Sequence, residues 1–225
     1  MPHGGPFGIQ DVLGWDEEVQ ILAAHGYAVL RVNFRGSGGR GMAFTQAGFR
    51  QWGERMIADI NDAVQWAAAD GRVDAARTCT FGASYGGYAA LMAPIRAPGQ
   101  YRCAIATVAP TNLILMRKWG DIQRRRYGRD YLDAAIGTDE AVLFAQSPVA
   151  HVATLDVPVL LVHGQRDDRV PFEHARAFEK AMKDAGRPLE TLYFAEETHG
   201  IYGDDNRRTY YTRVLGFLRQ HLGAP

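Results

Sequence analysis

Two cysteines in 225 residues are too few for a disulfide framework or a cysteine-built metal site. Cys79 and Cys103 each fall in an apolar run that reads as a strand, so buried reduced thiols in a reducing, cytoplasmic setting are expected. Net charge is also lacking: 25 Lys and Arg balance 25 Asp and Glu. That balance removes any electrostatic reason to expect nucleic acid or an anionic membrane as partner. The basic cluster Arg124, Arg125 and Arg126 reads as a solvated helix face. No apolar run is long enough to span a bilayer, and no basic segment followed by an apolar one opens the chain, so a soluble protein is expected.

What is present is core-forming material. With 47% hydrophobic residues, the chain is expected to form a single domain over 1–225. Apolar spacing predicts helices over 15–24, 54–69, 88–93, 173–185 and 207–222, and β-branched or apolar runs predict strands over 27–34, 78–81, 103–108, 157–162 and 190–194. Strands alternating with helices of this length imply the α/β class, a mostly parallel sheet covered on both faces. Residues 111–152 break into short helical pieces and read as a helical insertion over one end of the sheet. The opening is unusual. His3-Gly4-Gly5-Pro6 is a glycine turn of the kind that follows a strand, yet no strand precedes it, so the N-terminal strands read as truncated.

Gly82-Ala83-Ser84-Tyr85-Gly86-Gly87 lies between a strand and a helix, the setting of a nucleophile elbow. A serine hydroxyl needs a base, and the chain order of such hydrolases is Ser, then Asp or Glu, then His. His199 follows the last strand and meets the requirement, whereas His163 precedes the candidate acids and reads as a structural turn residue. His25, His151, His174 and His221 read as surface residues. The acid should stand in the loop after the 157–162 strand, where Asp167 and Asp168 sit side by side and periodicity does not choose between them. An oxyanion needs two aimed donors, for which the Tyr85 backbone N–H and the Gly5 N–H are the candidates.

These residues resemble the prolyl oligopeptidase family of serine peptidases, within it the acylaminoacyl-peptidase and dipeptidyl-peptidase-like catalytic domains. The resemblance rests on His3-Gly4-Gly5-Pro6, Asn33-Phe34-Arg35-Gly36-Ser37-Gly38, Trp52-Gly53, the Ser84 segment, His163-Gly164-Gln165-Arg166-Asp167-Asp168-Arg169-Val170-Pro171 and Thr198-His199-Gly200. It implies an α/β-hydrolase fold, and it assigns Asp167 as the acid and Arg169 as a residue holding a substrate carbonyl. Tyr85, Leu113 and Leu115 would wall the pocket for the residue before the scissile bond. The implied activity is cleavage of short peptides without metal or organic cofactor, with a carboxylesterase as the alternative and an inactive fragment as a reading of another class. Members carry an N-terminal β-propeller that this sequence does not contain, so the expected partners are a peptide or small ester substrate together with either a second copy or a segment supplying the missing strand.

Overall fold

Apolar runs of β-branched and alanine residues build a sheet that amphipathic stretches cover. The structure, a computed structural model, describes residues 1–223. Its elements in chain order are α1 (Glu17–Ala24), α2 (Met42–Gln46), α3 (Arg55–Ala69), β1 (Cys79–Ala83), α4 (Tyr85–Arg96), β2 (Cys103–Thr107), α5 (Leu113–Lys118), α6 (Arg126–Ala135), α7 (Glu140–Ala145), β3 (Val159–Gly164), α8 (Glu173–Asp184), β4 (Leu189–Phe194) and α9 (Asp204–Leu222). The strands pair in the order β1-β2-β3-β4, all parallel.

Every residue of β2 and β3 is buried, as a sheet covered on both faces requires. Ala104 and Ala106 of β2 pack toward Met56, Ile60, Tyr88 and Phe178, from α3, α4 and α8. Cys103 and Ile105 point the other way, toward Leu22 of α1 and Val214 and Phe217 of α9. Each large side chain buried in this way contributes roughly 1.5–3 kcal/mol. Residues 85–95 of α4 are all buried, so this helix is the inner support of the sheet. Residues 111–152 form α5, α6 and α7 with short 3-10 turns, anchored to the core by Leu113, Leu132 and Leu143. Among the described residues no helix is long and apolar enough to cross a membrane.

Three expectations are corrected. The first helix begins at Glu17, because the Asp16 side chain accepts the Val19 N–H and sets the cap, and Trp15 lies outside it, 82% exposed. Residues 27–34 form no strand. They are separated from β1 by a cleft of about 330 Å³ lined by Tyr27, Val29, Leu30, Thr78, Cys79 and Phe81, and no backbone hydrogen bond joins them to β1. The backbone N–H groups of residues 28–32 have no partner among the described residues, and Leu30 accepts a bond from the Met1 amine at 2.6 Å. β1 is therefore an edge strand of the described sheet. Finally, Cys79 and Cys103 are not reduced thiols but a disulfide. They are register partners on β1 and β2 with Cα atoms 4.7 Å apart, a spacing within disulfide reach that strand assignments alone do not reveal.

Candidate active site

Parallel strands place their carboxyl ends at one edge of the sheet, and ligands bind outside that edge. The loops after β1, β3 and β4 emerge there, carrying Ser84, Asp167 and His199. Ser84 occupies the one-residue turn between β1 and α4 with φ 59° and ψ −124°, a left-handed conformation that costs a non-glycine residue about 1–3 kcal/mol. The turn is tight: a Cβ on Gly82 would stand 2.6 Å from the carbonyl of Gly86. Its position is fixed on one side by the Ser84 N–H, which donates to Thr107 at 2.9 Å, and on the other by the Tyr88 N–H, which donates to the Ser84 carbonyl.

His199 Nε2 lies 2.9 Å from Ser84 Oγ, and His199 Nδ1 lies 2.7 Å from Asp167 Oδ2. The Asp167 side chain is fully buried, and its other oxygen accepts the N–H groups of Arg169 and Val170, each at 2.8 Å. A carboxylate cannot donate to the ring, so Nδ1 carries the proton and Nε2 presents its lone pair to the serine hydroxyl. That is a nucleophile touching a base oriented by a third group. Asp168, the neighbour that sequence periodicity could not separate from Asp167, is 79% exposed and pairs with Arg124 at 3.0 Å.

The acid and base loops touch. A Cβ on Gly164 would collide with the carbonyl oxygens of Glu197 and Thr198, so only glycine lets the end of β3 lie against the His199 loop. Glu197 braces that loop by accepting the N–H groups of Tyr202 at 3.0 Å and Gly203 at 2.9 Å and the Asn206 amide at 2.6 Å. Burial pushes its carboxyl up, but these hydrogen bonds together outweigh burial and hold it below the usual range.

The glycine turn near the N-terminus faces the same point. Gly4 packs against the nucleophile turn, where a Cβ would lie 3.5 Å from Ser84 Cβ, while Gly5 is the next residue along, and its own Cβ position is turned toward Ile9. His3 orients the turn: its Nδ1–H donates to Gly4 at 2.7 Å, its Nε2 accepts from the buried Ser37 hydroxyl at 2.8 Å, and its ring stacks on Phe34. Burial lowers the His3 pKa and favours this neutral form. A cavity of about 390 Å³ runs beside Ser84 and His199 and is lined by Gly4, Asp11, Glu18 and Tyr210. Burial pushes the Glu18 carboxyl up to about 7 there, against the hydrogen bond it accepts from Tyr210.

The remaining sequence candidates are dispersed. The Tyr85 ring is buried among Phe34, Trp52 and Tyr88, with its hydroxyl on the Trp52 carbonyl at 3.3 Å. Leu113 is fully buried in the core and Leu115 is half-buried. The Arg169 side chain is half-exposed and pairs with Asp121 at 2.7 Å. His174, expected at the surface, is 1% exposed. It shares the buried face of α8 with Phe178 and Met182, and that four-residue spacing was the signal that could have found it. His3, Ser37 and Glu197 were also missed as site residues, although His3 and Ser37 lie in two of the motifs that carry the family resemblance and Glu197 lies two residues before His199.

Comparison with known proteins gives the family. The sequence pattern of the prolyl oligopeptidase family matches residues 14–225. The chain belongs to the prolyl oligopeptidase family. It is 34% identical over 232 residues to dipeptidyl aminopeptidase BIII of Pseudoxanthomonas mexicana, covering all of this chain and 33% of that protein. It is 31% identical to dipeptidyl peptidase family member 6 of Caenorhabditis elegans, covering all of this chain and 31% of that protein. Among solved structures, a puromycin-hydrolyzing peptidase of Mycobacterium tuberculosis superposes with a TM-score of 0.91 at 29% identity, covering 100% of this chain and 34% of the other. The chain thus spans about a third of the length of the curated relatives it matches.

Proposed function

We propose that this chain is a serine peptidase that cleaves short peptides by acyl transfer through Ser84, His199 and Asp167. The observation that carries the reading is the unbroken line of contacts from Ser84 Oγ to His199 at 2.9 Å and from His199 to Asp167 at 2.7 Å. Ser84 Oγ attacks the scissile carbonyl while its proton passes to His199 Nε2, and Asp167 stabilises the imidazolium that forms. The tetrahedral intermediate's oxyanion takes hydrogen bonds from the N–H groups of Tyr85 and Gly5. His199 returns the proton to the leaving amine, and water repeats the sequence on the acyl-enzyme to regenerate the serine hydroxyl. The family resemblance adds Arg169, half-exposed two residues after the acid, as the residue that holds a substrate carbonyl, whereas the Tyr85 and Leu113 side chains are buried in the core and do not line the cavity beside Ser84. The names of the relatives, dipeptidyl aminopeptidase and dipeptidyl peptidase, support substrates cleaved near a peptide terminus. A carboxylesterase would use the same groups; turnover of an aryl ester with none of any peptide anilide would favour it.

One observation favours a second reading, in which the chain keeps the motifs without turnover: the cleft between residues 27–34 and β1, flanked by unpaired backbone N–H groups. Broad thermal unfolding with dye binding, in place of a cooperative melt, would support it. The deciding experiment is labelling with a fluorophosphonate followed by peptide mass spectrometry. Stoichiometric adduct at Ser84, lost in Ser84→Ala and His199→Ala, is expected; a folded, unlabelled protein would overturn the peptidase reading.

A further inference from the structure

The segment Arg35-Gly36-Ser37-Gly38 takes no part in the proposed chemistry, yet several contacts press it against the glycine turn beside Ser84. Asp59 of α3 accepts the Arg35 backbone N–H at 2.8 Å and its guanidinium at 2.8 and 2.6 Å. Two backbone bonds then lace the segment to the N-terminal turn: the Gly8 N–H donates to Gly36 at 3.1 Å, and the Gly38 N–H donates to Ile9 at 2.8 Å. Between them stands Ser37, which has no exposed surface and so does not touch substrate. A buried hydroxyl must be satisfied inside the protein, and among the described residues this one has a single partner, His3 Nε2 at 2.8 Å.

The direction of that bond follows from the other ring nitrogen. The Gly4 carbonyl only accepts, so its 2.7 Å contact puts the His3 proton on Nδ1, and in the neutral ring Nε2 is a lone pair that the Ser37 hydroxyl fills. Burial, the largest effect, lowers the His3 pKa and favours the neutral ring, against the Gly4 bond and Asp11. The stack on Phe34, with ring centroids 4.5 Å apart, fixes the plane of the ring but not which nitrogen holds the proton. Ser37 decides that.

Holding the Gly4 carbonyl sets a second direction. In the trans Gly4–Gly5 peptide the C=O and the N–H lie in one plane and point opposite ways, so an oxygen tied to His3 turns the Gly5 N–H away from His3. That N–H bonds to no backbone carbonyl among the described residues. Gly4 itself packs on the nucleophile turn, its Cβ position 3.3 Å from the Ala83 carbonyl and 3.5 Å from Ser84 Cβ. We propose that Ser37 is a positioning residue for the oxyanion donor: its hydroxyl holds His3 as the Nδ1–H tautomer, and the His3–Gly4 bond in turn aims the Gly5 N–H at the oxyanion formed on Ser84. This inference rests on the reading above, in which Ser84 is the nucleophile and Gly5 one of its two oxyanion donors.

The test uses the 225-residue chain, labelled with ¹⁵N on histidine, and an aryl ester as substrate. In the wild type the His3 resonances should report a neutral Nδ1–H ring, and in Ser37→Ala they should move toward the Nε2–H tautomer. In the same variant kcat should fall about tenfold with KM unchanged, short of the roughly 10²–10³ that outright loss of an oxyanion donor costs. A boronate that forms a tetrahedral adduct on Ser84 should weaken by the same factor, whereas the acid limb of the kcat/KM profile, which reports His199, should not move. His3→Phe keeps the stack on Phe34 and should lose about as much, and Ser37→Ala should add little on top of it because the two act as a unit. An Nε2–H ring in the wild type, a tautomer indifferent to Ser37→Ala, an unchanged kcat, or losses that add in the double variant would each overturn the inference. Failed fluorophosphonate labelling of the wild type overturns the triad reading instead, while the His3 tautomer and its response to Ser37→Ala still decide the link between the two side chains.

Discussion

Replacing Asp167 by asparagine should disable turnover almost completely while leaving the fold in place. Oδ1 of Asp167 accepts two backbone N–H groups, so an asparagine must keep its oxygen there. Its amide nitrogen then faces His199 where Oδ2 now accepts, and it donates to Nδ1. The imidazole is driven to the other tautomer, with the proton on Nε2 pointing at Ser84 and no lone pair to receive the hydroxyl proton. Loss of the correct tautomer in a triad of this type costs about 10⁴ in kcat, or roughly 5–6 kcal/mol of transition-state stabilisation. The cost to stability is much smaller, on the order of 1 kcal/mol, because the backbone bonds survive. Asp167→Ala separates the two effects: it strands the Arg169 and Val170 N–H groups and should destabilise by roughly 1–3 kcal/mol for each one left unpaired. The assay is steady-state hydrolysis of an aryl ester beside a denaturant melt for each variant. Retention of more than about a tenth of wild-type kcat in Asp167→Asn, with Ser84 still the labelled residue, would refute the tautomer argument.

Gly164→Ala should lower stability by about 1–3 kcal/mol, because the new methyl meets the carbonyls of Glu197 and Thr198 and wedges the acid and base loops apart; a melt within error of wild type would contradict that contact. The Glu197 carboxyl is held below its ordinary 4.5, so its contribution is fully present above that value and is lost as pH falls through the lower folded one. Glu197→Gln should therefore flatten the acid limb of a stability-versus-pH curve measured by urea unfolding, and an unchanged limb would count against it. The Cys79–Cys103 bridge closes a separation of 24 residues, for which chain entropy gives about 3 kcal/mol. Reductant should lower the melting temperature and release two alkylatable thiols; alkylation of both without reductant would show that the bridge does not form in solution.

The α/β alternation was legible because each run carries its own period. Residues 54–69 repeat at helical spacing and become α3, while the apolar runs near 103–108 and 157–162 become β2 and β3 within a residue or two at each end. What was not legible depends on neighbours in space. Residues 27–34 have strand composition, but a strand is defined by hydrogen bonds to a partner, and the cleft beside β1 supplies none. The Cys79–Cys103 pairing needs the β1–β2 register, which neither run encodes alone. The site divides along the same line. Ser84 and His199 were marked by local motif and chain order, whereas the choice of Asp167 over Asp168 came only from family resemblance, since a loop has no period.

That choice has a physical basis in the folded chain. Asp167 lies where the N–H groups of Arg169 and Val170 converge on one oxygen, which leaves the other free to face His199, and Asp168 projects outward to Arg124. The backbone of the loop therefore selects between two identical side chains by what it can donate to each. His174 follows the same rule: its apolar spacing with Phe178 and Met182 places it on the inner face of α8, and burial there keeps it neutral. A polar residue at helical spacing on an otherwise apolar face is thus better read as buried with that face than as a surface residue.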